Sequence, residues 1–159
     1  MDGQAIEIAD DLLFRTGNAL LSGDFVCFLE CCRFPAVFET PVGVTVIRSA
    51  SDLEHLFVRV RQTYVSKGVI DFARTILSAE FLTETSIGST HVTLCLGKDG
   101  EPIGHPFPAY SILTSIDETW RGQVCIYAIL NNDDLSSSLV DGLGTGPIDP
   151  LILRNALGS

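Results

Sequence analysis

A single arginine lies in an otherwise apolar row of side chains. Arg74 alternates with Ile70, Phe72 and Ile76, so these four side chains are expected on one face of a strand. A charge on an apolar face is costly unless it is paired or hydrated. Arg74 therefore indicates either a pocket that binds a carboxylate, enolate or phosphate group of a ligand, or a side chain that snorkels to the rim or pairs with a structural acid such as Glu39 or Glu80.

Two tyrosines are candidate hydrogen-bond donors beside this arginine. Tyr110 shares a predicted strand face with Ile112 and Ile116, and Tyr64 lies on the apolar face of a predicted helix. Either hydroxyl could point into a pocket, although core tyrosines commonly keep only a hydrated polar tip.

Three histidines are the groups whose ordinary titration lies near neutral pH. His55 lies off the apolar stripe of its helix and is expected at the surface, and His91 is expected to face outward, toward an interface. His105 stands among glycine and proline residues that disturb the strand, so its direction is open, and it is the strongest histidine candidate. If Arg74, Tyr110 and His105 converge, the site could polarise a carbonyl and move a proton.

Metal and cofactor motifs are incomplete. Cys27 and Cys31 are four residues apart on one helical face and Cys32 follows, but no second CxxC or histidine pair supplies the remainder of the about four ligands that zinc requires. The glycine-rich segment 142–146 lacks the Lys-Ser/Thr end of a phosphate-binding loop. We therefore expect neither a metal site nor a cofactor.

Composition limits the classes of partner. The 159 residues carry 10 Lys and Arg against 20 Asp and Glu, a net charge of −10, which argues against nucleic acid and anionic membrane surfaces as partners. The acidic N-terminus has no secretory signal pattern, and no segment is apolar enough to span a membrane. An odd number of cysteines indicates reduced thiols, so we expect a cytoplasmic protein.

Apolar spacing, capping residues and turn signals predict helices first and strands afterwards. The helices are expected at 5–21, between Asp24 and Pro35, and at 51–68. In the third, Ser51 and Glu54 have the spacing of a capping box, and one apolar face consists of Leu53, Leu56, Phe57, Val60 and Tyr64. The strands are expected as a hairpin of 36–40 with 44–47, and then at 69–78, 81–96, 103–116 and 119–130. The Asn-, Ser- and Gly-rich segment 132–159 predicts a C-terminal tail after a single domain of 1–131.

Helices followed by an antiparallel sheet are typical of an α+β fold in which the helices cover one face of the sheet. Alternation places Trp120, Val124 and Ile126 toward the helices, together with Val92 and Leu94. The opposite rows mix polar and apolar residues, namely His91, Thr93, Cys95, Arg121, Gln123, Cys125 and Tyr127. Such a face suits a second subunit, so we expect a homodimer through the outer face of the sheet.

Several short phrases occur in a characteristic order: Leu21-Ser22-Gly23-Asp24-Phe25, Phe34-Pro35, Ser51-Asp52-Leu53, Lys98-Asp99-Gly100-Glu101-Pro102-Ile103, Thr119-Trp120-Arg121 and Ile126-Tyr127. Over about residues 5–130 the chain resembles the nuclear transport factor 2-like superfamily, and within it the SnoaL-like (polyketide cyclase-like) group. The resemblance implies a cone-shaped, cystatin-like α+β fold: three helices on a strongly curved, mostly antiparallel sheet, with a pocket inside the cone. Where the family usually reads Gly-x-Trp-Arg-Ile, this chain has Gly122 after Trp120-Arg121, which predicts a bend or bulge.

The resemblance leaves the activity open, because members include ketosteroid isomerases, polyketide cyclases, dehydratases and epoxide hydrolases. Isomerase chemistry would need an inward tyrosine on the first helix, where Phe14 is the only aromatic residue. Epoxide hydrolase chemistry would need an arginine between acids on facing strands, whereas alternation puts Asp71 and Arg74 on opposite faces.

We therefore expect a protein that binds a small, largely apolar molecule in the cone, with Arg74 as the polar anchor. The expected binding residues are Leu13, Phe57, Tyr64, Phe72, Arg74, Tyr110 and Trp120. The first alternative is a general acid–base enzyme (a cyclase, isomerase or dehydratase) that acts on an apolar carbonyl compound through His105, Tyr110 and Arg74. The second alternative is a dimeric protein-binding module, which an ordered tail around 151–153 on a partner would favour.

Overall fold

Three α-helices and six β-strands make up residues 3–127, the part of the chain that the computed structural model describes. In chain order they are α1 (Gly3–Ser22), α2 (Phe25–Glu30), β1 (Cys32–Thr40), β2 (Gly43–Ile47), α3 (Ala50–Ser66), β3 (Asp71–Thr83), β4 (Ser86–Leu96), β5 (Pro102–Ile116) and β6 (Thr119–Tyr127). The predicted tail, 132–159, lies outside the described residues. None of the helices within 3–127 is long and apolar enough to cross a lipid bilayer.

The strands form one sheet in the order β2-β1-β6-β5-β4-β3. Every neighbouring pair is antiparallel except β1 and β6, which run parallel. The predicted hairpin is confirmed, since Ala36 pairs with Ile47 and Thr40 with Gly43. The α+β class, with three helices on a mostly antiparallel sheet, is confirmed as well.

The turn from α1 into α2 is built from the residues that the sequence marks. Gly23 has a φ of +81°, a left-handed conformation that glycine adopts without strain, and its N–H donates to the carbonyl of Ala19. The Asp24 carboxylate then accepts from the N–H of Cys27, over 3.1 Å, as the N-cap of α2. The prediction that α2 continues to Pro35 is wrong: the helix ends at Glu30, because the chain joins the sheet at once and Gly122 donates to the Cys31 carbonyl over 2.7 Å.

The start of α3 differs slightly from the predicted cap. Ser49, and not Ser51, is the N-cap, and its hydroxyl accepts from the N–H of Asp52 over 3.2 Å. The apolar face predicted for this helix is confirmed, since Leu53, Leu56 and their neighbours along the stripe are buried.

The hairpin between β3 and β4 turns later than predicted. Ala79 and Glu80, expected between two strands, pair with Ser89 and Gly88 inside the ladder. The turn lies at 84–85, where the Thr83 hydroxyl accepts from the N–H of Thr85 and hydrogen-bonds to the Ser86 hydroxyl. These hydrogen bonds pair polar groups of the turn locally, so both strands continue up to residues 84–85.

Bulges change the faces that simple alternation predicts. In β6 the register shifts between the pairs Ile112–Val124 and Leu113–Gly122, so one extra residue lies there and the predicted irregularity at Gly122 is confirmed. Downstream of it the prediction of an inward Ile126 and an outward Tyr127 is wrong: Ile126 packs with Tyr110 and Ile112 in a separate apolar cluster, whereas Tyr127 packs in the core under the helices.

The inward row of β4 was also assigned to the wrong face. Cys95 packs in the main core with Tyr64 and Phe107, and alternation puts His91 and Thr93 on the same face. The prediction that Val92 and Leu94 face the helices is therefore wrong. Both rows of β4 contain apolar residues, so hydrophobicity alone does not distinguish them.

The outer face of the sheet, away from the helices, carries its own apolar cluster. We call it the outer cluster; it consists of Val37, Val44, Val46, Tyr110, Ile112, Val124 and Ile126, of which Val37 and Val124 also border the cavity described below. His91, Cys95, Cys125 and Tyr127, which were expected on this face, lie on the inner face instead.

Candidate functional site

A small cavity lies between the helices and the inner face of the sheet. Its volume is about 120 Å³. Most of the side chains around it are apolar, and the polar ones come mainly from β3 to β6. The cavity is the place where the predicted pocket of the cone is found.

Helix α1 forms one wall because its small and apolar residues recur at helical spacing. Ala9, Leu12, Leu13, Thr16 and Leu20 all line the cavity. Ala9 is only 4% exposed, so its small side chain helps to leave the space open.

The polar part of the lining comes from neighbouring strands of the sheet. Ser89 of β4 pairs with Ser111 of β5, and both line the cavity. His91, two residues after Ser89 on β4, pairs with Ile76 of β3. Arg74 lies two residues before Ile76, on the same face of β3. Diagonal neighbours of this kind have Cα atoms about 7–8 Å apart, within reach of long side chains. We call Arg74, Ser89, His91 and Ser111 the polar patch.

Arg74 enters the cavity with no acidic partner among residues 3–127. Its Nη1 donates to the carbonyl oxygen of Leu13 over 3.3 Å, and its guanidinium carbon lies 4.6 Å from the centroid of the Phe72 ring. Its Nε is buried and has no hydrogen-bond partner among residues 3–127. In that same part of the chain no carboxylate lies within salt-bridge distance of Arg74, so the predicted alternative of a structural acid beside it is not observed.

His91 lies in the same cavity, which corrects the prediction that it faces outward. The residue is only 5% exposed. Burial, and next the positive charge of Arg74, lower the pKa of His91 from 6.5 to about 4. The imidazole is therefore neutral at pH 7, and it has no hydrogen bond within the described residues. A neutral imidazole can donate one hydrogen bond and accept another.

The other titratable groups at the cavity are also uncharged at neutral pH. Burial raises the pKa of the Cys31 thiol to about 11 and that of Cys32 to about 12. Burial likewise raises the pKa values of Tyr64, Cys125 and Tyr127. Within residues 3–127 no cluster of three or more His, Cys, Asp or Glu side chains is placed to hold a metal ion.

The structure brings together only part of the predicted site. Leu13, Tyr64 and Arg74 line the cavity. Phe72 lies just behind them, with its ring 5.0 Å from that of Tyr64 and under the Arg74 guanidinium. The remaining predicted residues lie elsewhere.

Two predicted lining residues are parts of the apolar core. Phe57 packs between the rings of Phe25 and Phe28, at centroid distances of 5.5 and 5.1 Å. Trp120 packs edge-on against Phe81, 5.9 Å away, beside the start of α1. Neither lines the cavity.

The two other catalytic candidates do not converge with Arg74. Tyr110 belongs to the outer cluster, where its hydroxyl lies over Gly88, because the row it shares with Ile112 faces away from the helices. His105 is exposed, near the start of β5, and does not line the cavity. The expectation that these side chains point into the cone is therefore corrected.

Sequence reasoning missed His91, Ser89, Ser111 and Tyr127 as lining residues. Each of these residues lies either on a strand whose inward face was assigned by hydrophobicity or beyond a bulge, and in both cases the wrong face was assigned. Gly122 marks the bulge in β6, and the extra residue there turns Tyr127, further along the strand, to the inner face.

An open, acidic groove lies on the other side of Arg74. It runs between α1 and the start of β3, has a volume of about 490 Å³, and is lined by acids that include Glu7, Asp10, Asp11 and Asp71. Leu13 and Arg74 line both the groove and the cavity. A Cβ atom at Gly17 would stand 3.2 Å from Nη1 of Arg74, so this glycine leaves room for the guanidinium between the two spaces.

No protein-family model matches the chain, and no curated protein matches it. Solved structures do match. A domain of unknown function with a cystatin-like fold from Nostoc punctiforme is 14% identical, with a TM-score of 0.63 over 80% of this chain and 78% of that one. A nuclear transport factor 2-like protein of unknown function from Shewanella oneidensis is 10% identical, with a TM-score of 0.60 over 77% and 98%.

A third structure agrees with these two. A nuclear transport factor 2-like protein with a cystatin-like fold from Novosphingobium aromaticivorans is 13% identical, with a TM-score of 0.61 over 87% of this chain and 90% of that one. Identities this low show the fold and leave the activity open. The chain has the cystatin-like fold of the nuclear transport factor 2-like proteins.

Proposed function

We propose that this protein binds a small, largely apolar molecule in the cavity, with Arg74 against the polar group of that molecule. The observation that carries the proposal is the cavity itself, an apolar space whose polar patch includes a buried guanidinium nitrogen with no hydrogen-bond partner among residues 3–127. Burying a donor without a partner costs about 1–3 kcal/mol, which a ligand oxygen at that position would recover.

The size of the cavity limits the ligand. An apolar cavity of about 150 Å³ in another protein holds one benzene molecule. The volume here, about 120 Å³, is close to that value. We therefore infer a ligand with one ring or a short branched chain, without the fused rings of a steroid or a polycyclic polyketide.

A cavity-filling variant tests this binding. We expect toluene and benzamide to show saturation-transfer NMR signals with the native protein, and Ala9→Leu to weaken them about tenfold because the larger side chain occupies the cavity. Ala73→Leu adds the same atoms at an exposed position of β3 and is the matched control.

Folding of each variant is checked by circular dichroism, and Ser111→Leu serves as a second blocking variant if Ala9→Leu does not fold. Native protein that gives no signal with either compound, or equal signals from the native and blocked proteins, would show that the cavity is not the binding site.

A general acid–base enzyme remains the second candidate, because His91 and Arg74 share the cavity. A neutral imidazole can remove a proton from a carbon beside a carbonyl, and a guanidinium can stabilise the resulting oxyanion. We expect the methyl protons of acetophenone to exchange with deuterated solvent faster with the native protein than with His91→Gln. Equal exchange rates in the two proteins would remove this candidate.

We also propose a homodimer through the outer face of the sheet. The half-buried side chains of Val44, Tyr110 and Ile126 in the outer cluster, with Val92 and Leu94 beside them, support it, since contiguous apolar surface favours association. Light scattering at micromolar concentration is expected to give twice the mass of one chain, and the mass of a single chain would contradict the dimer.

A further inference from the structure

The cavity is unbalanced in charge. Within residues 3–127 its lining contains one arginine and neither an aspartate, a glutamate nor a lysine. Arg74 has no carboxylate within salt-bridge distance in that part of the chain. A partly buried cation without a counterion is costly, so the free site favours an anion of a single negative charge.

We infer that the ligand is a small carboxylic acid with one ring or a short chain, bound as the carboxylate against Arg74 while His91 takes up one proton from solvent. This inference rests on the proposed function and adds the chemical class of the ligand and a proton to it. A carboxylate carries one charge and suits one guanidinium, whereas a phosphate monoester would bring a second charge without a partner.

The polar patch has the groups that this binding needs. The Arg74 Nε is an available donor, and the Ser89 hydroxyl is buried without a hydrogen-bond partner among the described residues. His91 lies between them along the inner face, diagonal to Arg74 and two residues from Ser89 on β4. A carboxylate oxygen near Arg74 can therefore accept a second hydrogen bond from His91, and both ring nitrogens of His91 are donors once it is protonated.

The surroundings of His91 make its protonation depend on the bound anion. The charged and titratable side chains that line the cavity with it are Tyr64 of α3, Arg74 of β3, Cys31, Cys32 of β1, and Cys125 and Tyr127 of β6, with the Cys95 thiol on its own strand nearby. Arg74 is the one that carries charge at neutral pH, because burial raises the pKa values of the thiols and phenols. The acids Glu7, Asp10, Asp11 and Asp71 line the groove beyond Arg74 and not the cavity.

A carboxylate between these groups reverses the effect of Arg74. In the free protein burial and Arg74 hold the pKa of His91 at about 4. An adjacent anion favours the imidazolium form, so the pKa of His91 rises in the complex. By linkage, the affinity for the anion then increases as the pH falls below that raised pKa, by at most about tenfold for each pH unit.

Calorimetric titration with benzoate and with benzamide tests the inference, since the two compounds have nearly the same shape and only benzoate is charged. We expect benzoate to bind about tenfold more tightly at pH 5 than at pH 7.5, with net proton uptake at pH 5 measured in two buffers of different ionisation enthalpy. Benzamide is expected to bind with the same affinity at both pH values. NMR of carbon-labelled histidine should show the signal of one of the three histidines titrating at higher pH when benzoate is bound.

Variants assign the effect to the two residues. Arg74→Met should abolish the preference for benzoate over benzamide, and His91→Gln should abolish the pH dependence and the proton uptake. Arg48→Met, at an exposed arginine outside the cavity lining, is the matched control and should keep both.

Two results separate this inference from the proposed function. In the first result, benzoate and benzamide bind equally at both pH values, and neither binds to Ala9→Leu. This would overturn the preference for a carboxylate and the proton uptake, while the cavity would still be the binding site. Failure of both compounds to bind the native protein would overturn the inference together with the proposed function. Because the comparison of the two compounds uses the native protein, the inference is tested even if a variant does not fold.

Discussion

Acidification from pH 7 to pH 4 is expected to remove about 3 kcal/mol from the free energy of unfolding through His91 alone, because the pKa of this buried residue falls from 6.5 to about 4 in the folded protein. In the unfolded chain the imidazole takes up its proton near pH 6.5, whereas the folded protein resists protonation until about pH 4. Between those values the unfolded state binds more protons, so stability falls as the pH falls. Above pH 6.5 and below about pH 4 the two states carry the same charge at this residue, and no further change arises from it.

The measurement is urea unfolding at a series of pH values from 4 to 7, on the native protein without ligand and on two variants. His91→Gln should lose most of the pH dependence that the native protein shows in this window. His55→Gln, at an exposed histidine, should keep it. If native protein and His91→Gln lose stability in parallel, the imidazole is not buried as the structure shows.

Truncation of Phe57 is expected to have the largest effect on stability at neutral pH. Phe57 is 3% exposed and packs against the rings of Phe25 and Phe28 under α3. Replacing a buried phenylalanine by alanine costs about 3–5 kcal/mol, from lost burial and from the space left behind. Phe57→Ala should therefore lower the midpoint of thermal unfolding strongly.

Val58→Ala is the control on the same helix, because Val58 is 44% exposed and should change the free energy of unfolding by less than about 0.5 kcal/mol. A second measurement concerns the role that the sequence suggested for Phe57. Since the residue lies in the core and does not line the cavity, Phe57→Ala that remains folded at low temperature should bind benzamide like the native protein. A selective loss of binding with little loss of stability would instead show that Phe57 belongs to the binding site.

Local signals in the sequence predict most of the fold. Gly23 and Asp24 mark the end of one helix and the start of the next, and the apolar stripe through Leu53 and Leu56 marks the third helix. These elements depend on neighbours a few residues away, which a sequence displays directly. Their ends are less certain, as Ser49 in place of Ser51 shows, because several nearby residues can cap the same helix.

The site is harder to predict because it depends on which face each strand turns inward. Arg74 was found from alternation, since no bulge lies between it and Phe72. His91 was missed because the outward row of β4 is more apolar than the inward one. A polar residue beneath the helices contradicts the usual pattern, and such contradictions are more common at binding sites than elsewhere.

The extra residue in β6 also bears on how such a cavity can change over generations. Trp120 on one side of it and Tyr127 on the other both lie beneath the helices, although they are seven positions apart and would face opposite ways in a regular strand. Loss of one residue near Gln123 would turn Ile126 toward the cavity and carry Tyr127 to the outer surface. A single codon deletion could thus give this scaffold a new cavity lining and a new outer surface together, whereas point substitutions would have to replace each side chain in turn.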